Sequence, residues 1–259
     1  MPEPTSYVPG APSWIDIGTD VAAAKHFYGE LFGWSSQEAG PLDDTGGYAF
    51  FMQDGKMLAG CGPQQNPGPP FWTTYFCVAD ADQTAATVKE AGGQEIVAPM
   101  DVMTQGRMAV FQDPEGAFFS VWQPGELTGA QLIGEPVSFC WAELNTRGLD
   151  DAKAFYGAVF GWECVTSEFE GGMVYTEVKV GGEAVAGMMD VTGTVPDMVP
   201  AHWLVYFAVE DADATVAKAQ ELGGTVMVPP TDIPPGRFAV VADDRGAVFA
   251  VLRFREMPA

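Results

Sequence analysis

A tryptophan followed two residues later by a carboxylate occurs twice in this chain: Trp14 and Asp16 in SWIDIG, Trp141 and Glu143 in CWAELN. Both stretches alternate as β-strands do, so each Trp shares a face with its acid. Ile15 and Ile17, like Ala142 and Leu144, fall on the opposite face and suit packing beneath a helix. A carboxylate inside a sheet-lined pocket is partly desolvated, so its pKa rises and it can act as a general base. Asp16 and Glu143 are therefore the candidate catalytic residues. An exposed strand face, or an ion pair with a nearby loop, is the alternative. The same parity places Trp14, Thr73, Tyr75, Ser120 and Trp122 in a first cavity, and Trp141 and Tyr206 in a second. Tyr48 and Tyr175 join them from hairpins. Flat rings bearing hydroxyls suit a planar or aromatic ligand, through stacking and one oriented hydrogen bond. Core filling is the competing role for each ring. The second set also includes Leu204, Ala250 and Leu252 and is greasier, so the first cavity is the expected working site.

The elements that must position these residues are duplicated. AKHFYGELFGW (Ala24–Trp34) returns as AKAFYGAVFGW (Ala152–Trp162), and YFCVADADQTAATVKEAGG (Tyr75–Gly93) as YFAVEDADATVAKAQELGG (Tyr206–Gly224). GRMAVFQDPEGAFFSVW (Gly106–Trp122) returns as GRFAVVADDRGAVFAVL (Gly236–Leu252). Repeats this long are duplicated domains. For 259 residues, two domains of about 125 are expected, each with its own core. Pro/Gly-rich stretches divide each half again, giving four units of about 50 residues. In the first unit a strand leads to a helix capped by Thr19 or Asp20. That helix ends at Leu31 or Phe32, with Gly33 beyond, and a hairpin turns at Asp54–Gly55. The second unit opens on TTYFCV, caps its helix near Asp80 or Asp82, and closes on two strands joined by DPEG (Asp113–Gly116). QPGELTGAQLIGEP (Gln123–Pro136) joins the halves and is expected to be the segment most open to proteolysis.

Net charge is −23, from 12 basic and 35 acidic residues, which argues against nucleic-acid partners and anionic membrane surfaces. No apolar run reaches membrane-spanning length, and the N-terminus lacks a signal-peptide pattern, so a soluble cytoplasmic protein is expected. None of the four cysteines forms a C-x-x-C pair. The two histidines are His26, read as a helix-surface residue, and His202, read as a strand-end or rim residue. Arg107 and Arg237 each follow a glycine at matching positions. Either clamps a ligand carboxylate or pairs with a structural acid, and the second role is favoured.

The paired β-α-β-β-β units, the FYG…FGW helices, the V-x-D-A-D helix starts and the closing GRMAVFQDPEGAFFSVW hairpin resemble the vicinal oxygen chelate superfamily. That superfamily includes glyoxalase I, bleomycin-resistance proteins, fosfomycin-resistance enzymes and extradiol dioxygenases. The resemblance implies an α+β fold of four units in two glyoxalase-like domains, 7–124 and 135–256, each with curled mixed sheets around a cavity. Metal-dependent members carry histidine in the first strand of a unit and glutamate in the last. Those positions fall within a residue of Ser13, Thr73, Cys140 and Leu204, on Ser120 and Ala250, and around Gly60 and Gly187. None of these makes a good divalent-metal ligand set, so no metal and no other cofactor is expected. The resulting expectation is a metal-independent protein of the glyoxalase/bleomycin-resistance type, monomer or homodimer. It binds a small, partly aromatic molecule, with a proton transfer, lyase or hydroxylase-like step left open. A metal-dependent glyoxalase- or dioxygenase-like enzyme and a non-catalytic sequestering or resistance protein are the alternatives.

Overall fold

A computed structural model describes residues 4–65, 67–169 and 174–255. The first half runs β1 (Pro12–Thr19), α1 (Val21–Phe32), β2 (Ser35–Glu38), the short α2 (Leu42–Thr45), β3 (Ala49–Gln53) and β4 (Lys56–Pro63). It continues with β5 (Phe71–Cys77), α3 (Ala81–Glu90), β6 (Gln94–Val102), β7 (Gly106–Gln112) and β8 (Phe118–Pro124). The second half repeats the plan: β9 (Phe139–Thr146), α4 (Leu149–Phe160), β10 (Glu163–Glu168), β11 (Val174–Val180) and β12 (Glu183–Asp190), then β13 (His202–Ala208), α5 (Ala212–Glu221), β14 (Thr225–Ile233), β15 (Gly236–Ala242) and β16 (Val248–Phe254).

Consecutive units pair. Each half forms one eight-stranded open sheet, ordered β2-β3-β4-β1-β5-β8-β7-β6 and β10-β11-β12-β9-β13-β16-β15-β14. The central strands β1 and β5 are antiparallel, and each is parallel to the last strand of its own unit, so the sheets are mixed. Local chemistry sets the boundaries. Asp20 caps α1 by accepting from the N–H groups of Ala22 and Ala23, and Gly33 takes the left-handed conformation that stops the helix. Asp80 caps α3, and left-handed Asp54 and Gly55 make the β3–β4 turn. The β1 ladder shifts register between Pro12 and Trp14, so the irregularity falls before the Trp-x-acid pair and leaves its parity intact.

Two expectations are corrected. The halves do not have separate cores: one continuous cluster of buried side chains includes Phe27, Tyr28, Trp72 and Phe76 with Tyr156, Trp203, Phe207 and Phe249. The helix-bearing faces of the two sheets meet there, with Phe32 on Phe207 and Phe249 and with Phe160 on Phe76 and Phe119. The contact is clasped by polar bonds from the repeated motifs. Tyr28 Oη donates to Asp243 at 3.0 Å and accepts from Trp72 Nε1. Tyr156 Oη donates to Asp113 at 3.0 Å and accepts from Trp203 Nε1. Trp34 and Trp162 donate to the carbonyls of Val137 and Gly10 in the opposite halves.

The connector is not an exposed linker either. Its Ala130 N–H donates to Ser13 O and its Gln131 N–H to Met57 O, while Gln131 Oε1 accepts from the Met57 N–H. Tyr7 Oη donates to Ala130 O. A segment tied down this way offers little slack to a protease.

Candidate active site

On the faces away from the shared core, strand parity assembles the same constellation twice. In the first half Asp16 Oδ2 accepts from Tyr48 Oη at 3.0 Å and from Tyr75 Oη at 2.9 Å, and Trp14 Nε1 donates to Tyr48 Oη. In the second, Glu143 Oε1 accepts from Tyr206 Oη at 2.9 Å, and Trp141 Nε1 donates to Tyr175 Oη at 2.8 Å. Burial raises both carboxyl pKa values and outweighs the tyrosine bonds that lower them. Asp16 is pushed up to about 6, and Glu143 rises above the usual glutamate range. The tyrosine hydroxyls, buried beside these acids, are held protonated well above their ordinary range.

The hairpin tyrosines reach the acids because the neighbouring strand carries glycine. A Cβ on Gly60 would sit 1.7 Å from Tyr48 Oη, and one on Gly187 would sit 1.9 Å from Tyr175 Oη. These are the places where the family resemblance would put a metal-binding carboxylate, and tyrosine hydroxyls fill them. Asp16 already accepts from two hydroxyls and Glu143 from one. Among the described residues no group of three or more His, Cys, Asp or Glu is placed to hold a metal ion. The donor set does not fit the divalent cation that the fold family implies.

The two constellations differ in access. The second lies in an unfilled cavity of about 420 Å3, with Glu143, Glu177 and Tyr206 toward it and walls that include Phe169, Phe238 and Leu252. In the first half the connector packs on the corresponding rings, while Asp16 and Tyr48 stay partly exposed. Trp122 sits at the position of Leu252 and donates to Leu127 O at 2.8 Å. Leu127, Ala130 and Ile133 of the connector pack with Trp14, Tyr75 and Trp122. The segment after β8 thus lies against the first constellation, and no such segment covers the second among the described residues.

The other candidate residues fall as follows. Ser120 lies beside Tyr75 in the ladder, fully buried, and its hydroxyl makes no hydrogen bond. Thr73 pairs with Asp16 across β1 and β5. His26 is exposed, and His202 bonds Pro200 O at the strand entrance. Arg107 grips Asp82 and Asp101, and Arg237 grips Asp213 and Asp232, so both are structural. Sequence reasoning missed Glu177 and Phe238. Glu177 was within reach, since it shares the face of Tyr175 on β11. Pro234 and Pro235, which replace Thr104 and Gln105 of the first half, carried no such signal.

The chain belongs to the Glyoxalase/Bleomycin resistance protein/Dioxygenase superfamily, whose model matches residues 17–121 and 138–251. It is 42% identical to the anthracycline biosynthesis protein DnrV of Streptomyces peucetius, over 97% of this chain and 96% of that one. It is also 42% identical to CFP32 of Mycobacterium tuberculosis, whose assignment as a glyoxylase is itself provisional, over 98% of both chains. Two solved structures share the fold at low identity. The Mn(II)-bound glyoxalase from Novosphingobium aromaticivorans has a TM-score of 0.62 and 17% identity, covering 96% of this chain and 86% of that one. The 2,3-dioxygenase LapB from Pseudomonas sp. KL28 has a TM-score of 0.63 and 13% identity, covering 96% and 93%.

Proposed function

We propose that this protein binds a small, partly aromatic molecule in the second-half cavity and moves a proton on it with Glu143, without a metal. The observation that carries this reading is a buried carboxylate, its pKa raised, at a largely apolar cavity wall with the Tyr206 hydroxyl fixed on it and Tyr175 beside it. Such a carboxylate is a stronger base than one in water. Trp141 donates to Tyr175 and so turns that hydroxyl's proton toward Glu143. The second carboxylate oxygen is left to accept a proton from a bound carbon or oxygen acid. As Glu143 becomes neutral, Tyr206 is freed to donate to the oxygen on which the substrate's negative charge develops. The name of DnrV, an anthracycline biosynthesis protein, supports an aromatic ligand class for this chain. The first-half constellation serves packing.

The test uses 1-tetralone, an aromatic ketone with acidic hydrogens beside its carbonyl, in D2O. The wild-type protein should speed deuterium incorporation, Glu143→Gln should reduce that effect by about 100-fold or more, and Asp16→Asn should leave it within about twofold. Equal loss in both variants, or none in Glu143→Gln, would defeat the assignment. Saturable tetralone binding without exchange would instead favour a sequestering protein.

A further inference from the structure

The charges around the second cavity constrain the ligand further than its shape does. Among the described residues the charged groups at its wall are two acids, Glu143 and Glu177, and no lysine, arginine or histidine lines it. Two cations of the same sheet are held by acids, and Arg253 and Arg255 are exposed. Lys179 pairs with Glu177 at 3.6 Å. Arg237 is held by Asp213 and Asp232. Arg253 is exposed on the face of β16 opposite Leu252 and Phe254. Lys179 offsets Glu177, which leaves Glu143 as a buried acid without a countercharge.

The rest of the wall is aromatic to an unusual degree for a small cavity. Trp141, Phe169, Tyr175, Tyr206, Phe238 and Phe254 surround it. Ring faces carry negative quadrupole charge and attract an ammonium ion strongly when water is excluded. They offer nothing to an anion, which would have to shed its water beside Glu143. The chain's net charge of −23 adds a field that draws cations in and turns anions away.

From this we infer that the second cavity is an ammonium site: its ligand is an apolar, amine-bearing molecule that enters as a cation, and carboxylate- or phosphate-bearing molecules are rejected. The inference rests on the reading of this cavity as the ligand site. It also separates this chain's chemistry from that of any ligand whose handle is a carboxylate.

Three probes of one shape test it on the intact protein by isothermal titration: 1-naphthylmethylammonium, 1-naphthylmethanol and 1-naphthoate. The amine should bind about tenfold or more tighter than the carboxylate, with the alcohol between them. In Glu143→Gln the amine and the alcohol should converge to within about threefold, while the alcohol keeps its wild-type affinity. In 0.5 M salt the amine should weaken and the alcohol should not, a readout that stands even if Glu143→Gln fails to fold. Carboxylate binding equal to the amine, or an amine preference that salt does not touch and Glu143→Gln does not reduce, overturns the inference. Leu252→Trp tells the two readings apart. If it blocks the alcohol while wild type shows no charge preference, the ammonium inference alone fails. If the alcohol binds and Leu252→Trp leaves it bound, or if none of the probes binds, the cavity reading fails and takes the inference with it.

Discussion

The two halves hold the same polar constellation and differ in what covers it. Trp14–Tyr48–Asp16–Tyr75 and Trp141–Tyr175–Glu143–Tyr206 correspond residue for residue and share the Trp-to-Tyr and Tyr-to-acid bonds, the first half adding one from Tyr48 to Asp16. The surrounding residues have diverged. Phe50 stands in the first half where Glu177 stands in the second, Met108 where Phe238 stands, and Trp122 where Leu252 stands. The stretch after β8 then finds an apolar surface to dock on, and Leu127 and Ala130 complete a packed cluster. A duplicated constellation can therefore keep its polar residues while its surroundings change through residues that belong to no motif. A carboxylate with its hydrogen bonds satisfied persists in the first half because removing only one partner would strand the others.

The largest disturbance of this comparison is to separate the halves. Residues 1–130 and 131–259 each form a complete sheet, yet each surrenders its side of the shared core and half of every clasp. Expressed alone, each should be insoluble or lack near-ultraviolet circular dichroism, and co-expression should restore both. A soluble, cooperatively melting single half would show that the common core is dispensable.

Next in size is the exchange of the residue that differs most in bulk. Leu252→Trp places in the second cavity the ring that helps fill the first, and should weaken binding of 1-naphthylmethanol by about tenfold or more. Its melting temperature should hold, since the ring enters unfilled space. Trp122→Leu should not create a matching site, because Leu127, Ala130 and Ile133 remain in place. Binding stoichiometry by titration decides this: one site in each protein that binds, and never two.

A smaller effect follows from the raised pKa of Asp16, about 6 against an ordinary 3.8. The folded state holds this proton more tightly than the unfolded chain does. The stability it contributes is full below about pH 4 and is lost as pH rises toward 6, with no further change above. Two pKa units correspond to at most about 3 kcal/mol. Asp16→Asn removes this titration, so its stability relative to wild type should climb between pH 4 and pH 7 in urea melts. A flat difference across that range would mean that Asp16 is solvated.

How much of this was legible in the sequence depends on which physical rule carried the signal. Period-2 alternation fixes the face of a strand, so Trp14 with Asp16, and Trp141 with Glu143, were readable as pairs, and Tyr75 and Tyr206 with them. Cap chemistry likewise gave Gly33 and narrowed the helix starts to Thr19 or Asp20 and to Asp80 or Asp82, of which the structure uses Asp20 and Asp80. Contacts between distant segments leave no such trace. The FYG motif marks a helix and DPEG a turn, and neither points to a distant partner. Only the fold shows that Tyr28 and Asp243, 215 residues apart, are hydrogen-bonded. Nothing in QPGELTGAQLIGEP says that it docks over Trp122, because its Gly and Pro content is equally that of an exposed linker.

Those clasps give the smallest expected effect and the sharpest test of the symmetry between the halves. Asp243 Oδ1 accepts from the N–H groups of Arg245 and Ala247, and Asp113 Oδ1 from those of Glu115 and Ala117. In each case the other oxygen holds the tyrosine of the opposite half. Tyr28→Phe or Tyr156→Phe leaves that oxygen and one tryptophan N–H unpaired in the core, at a cost of about 1 to 3 kcal/mol. Burial already raises the pKa of both aspartates, and losing a hydroxyl donor raises it further. The loss should therefore grow as pH rises through those pKa values, since the folded state must then hold a poorly paired charge. The two variants should agree within about 0.5 kcal/mol, and the double variant should cost nearly their sum, if the clasps are equivalent and independent. Urea titrations at pH 5 and pH 8 make the measurement. A large disparity between the two would mean that the duplication is symmetric in geometry and not in energy, and that one clasp carries the union of the halves.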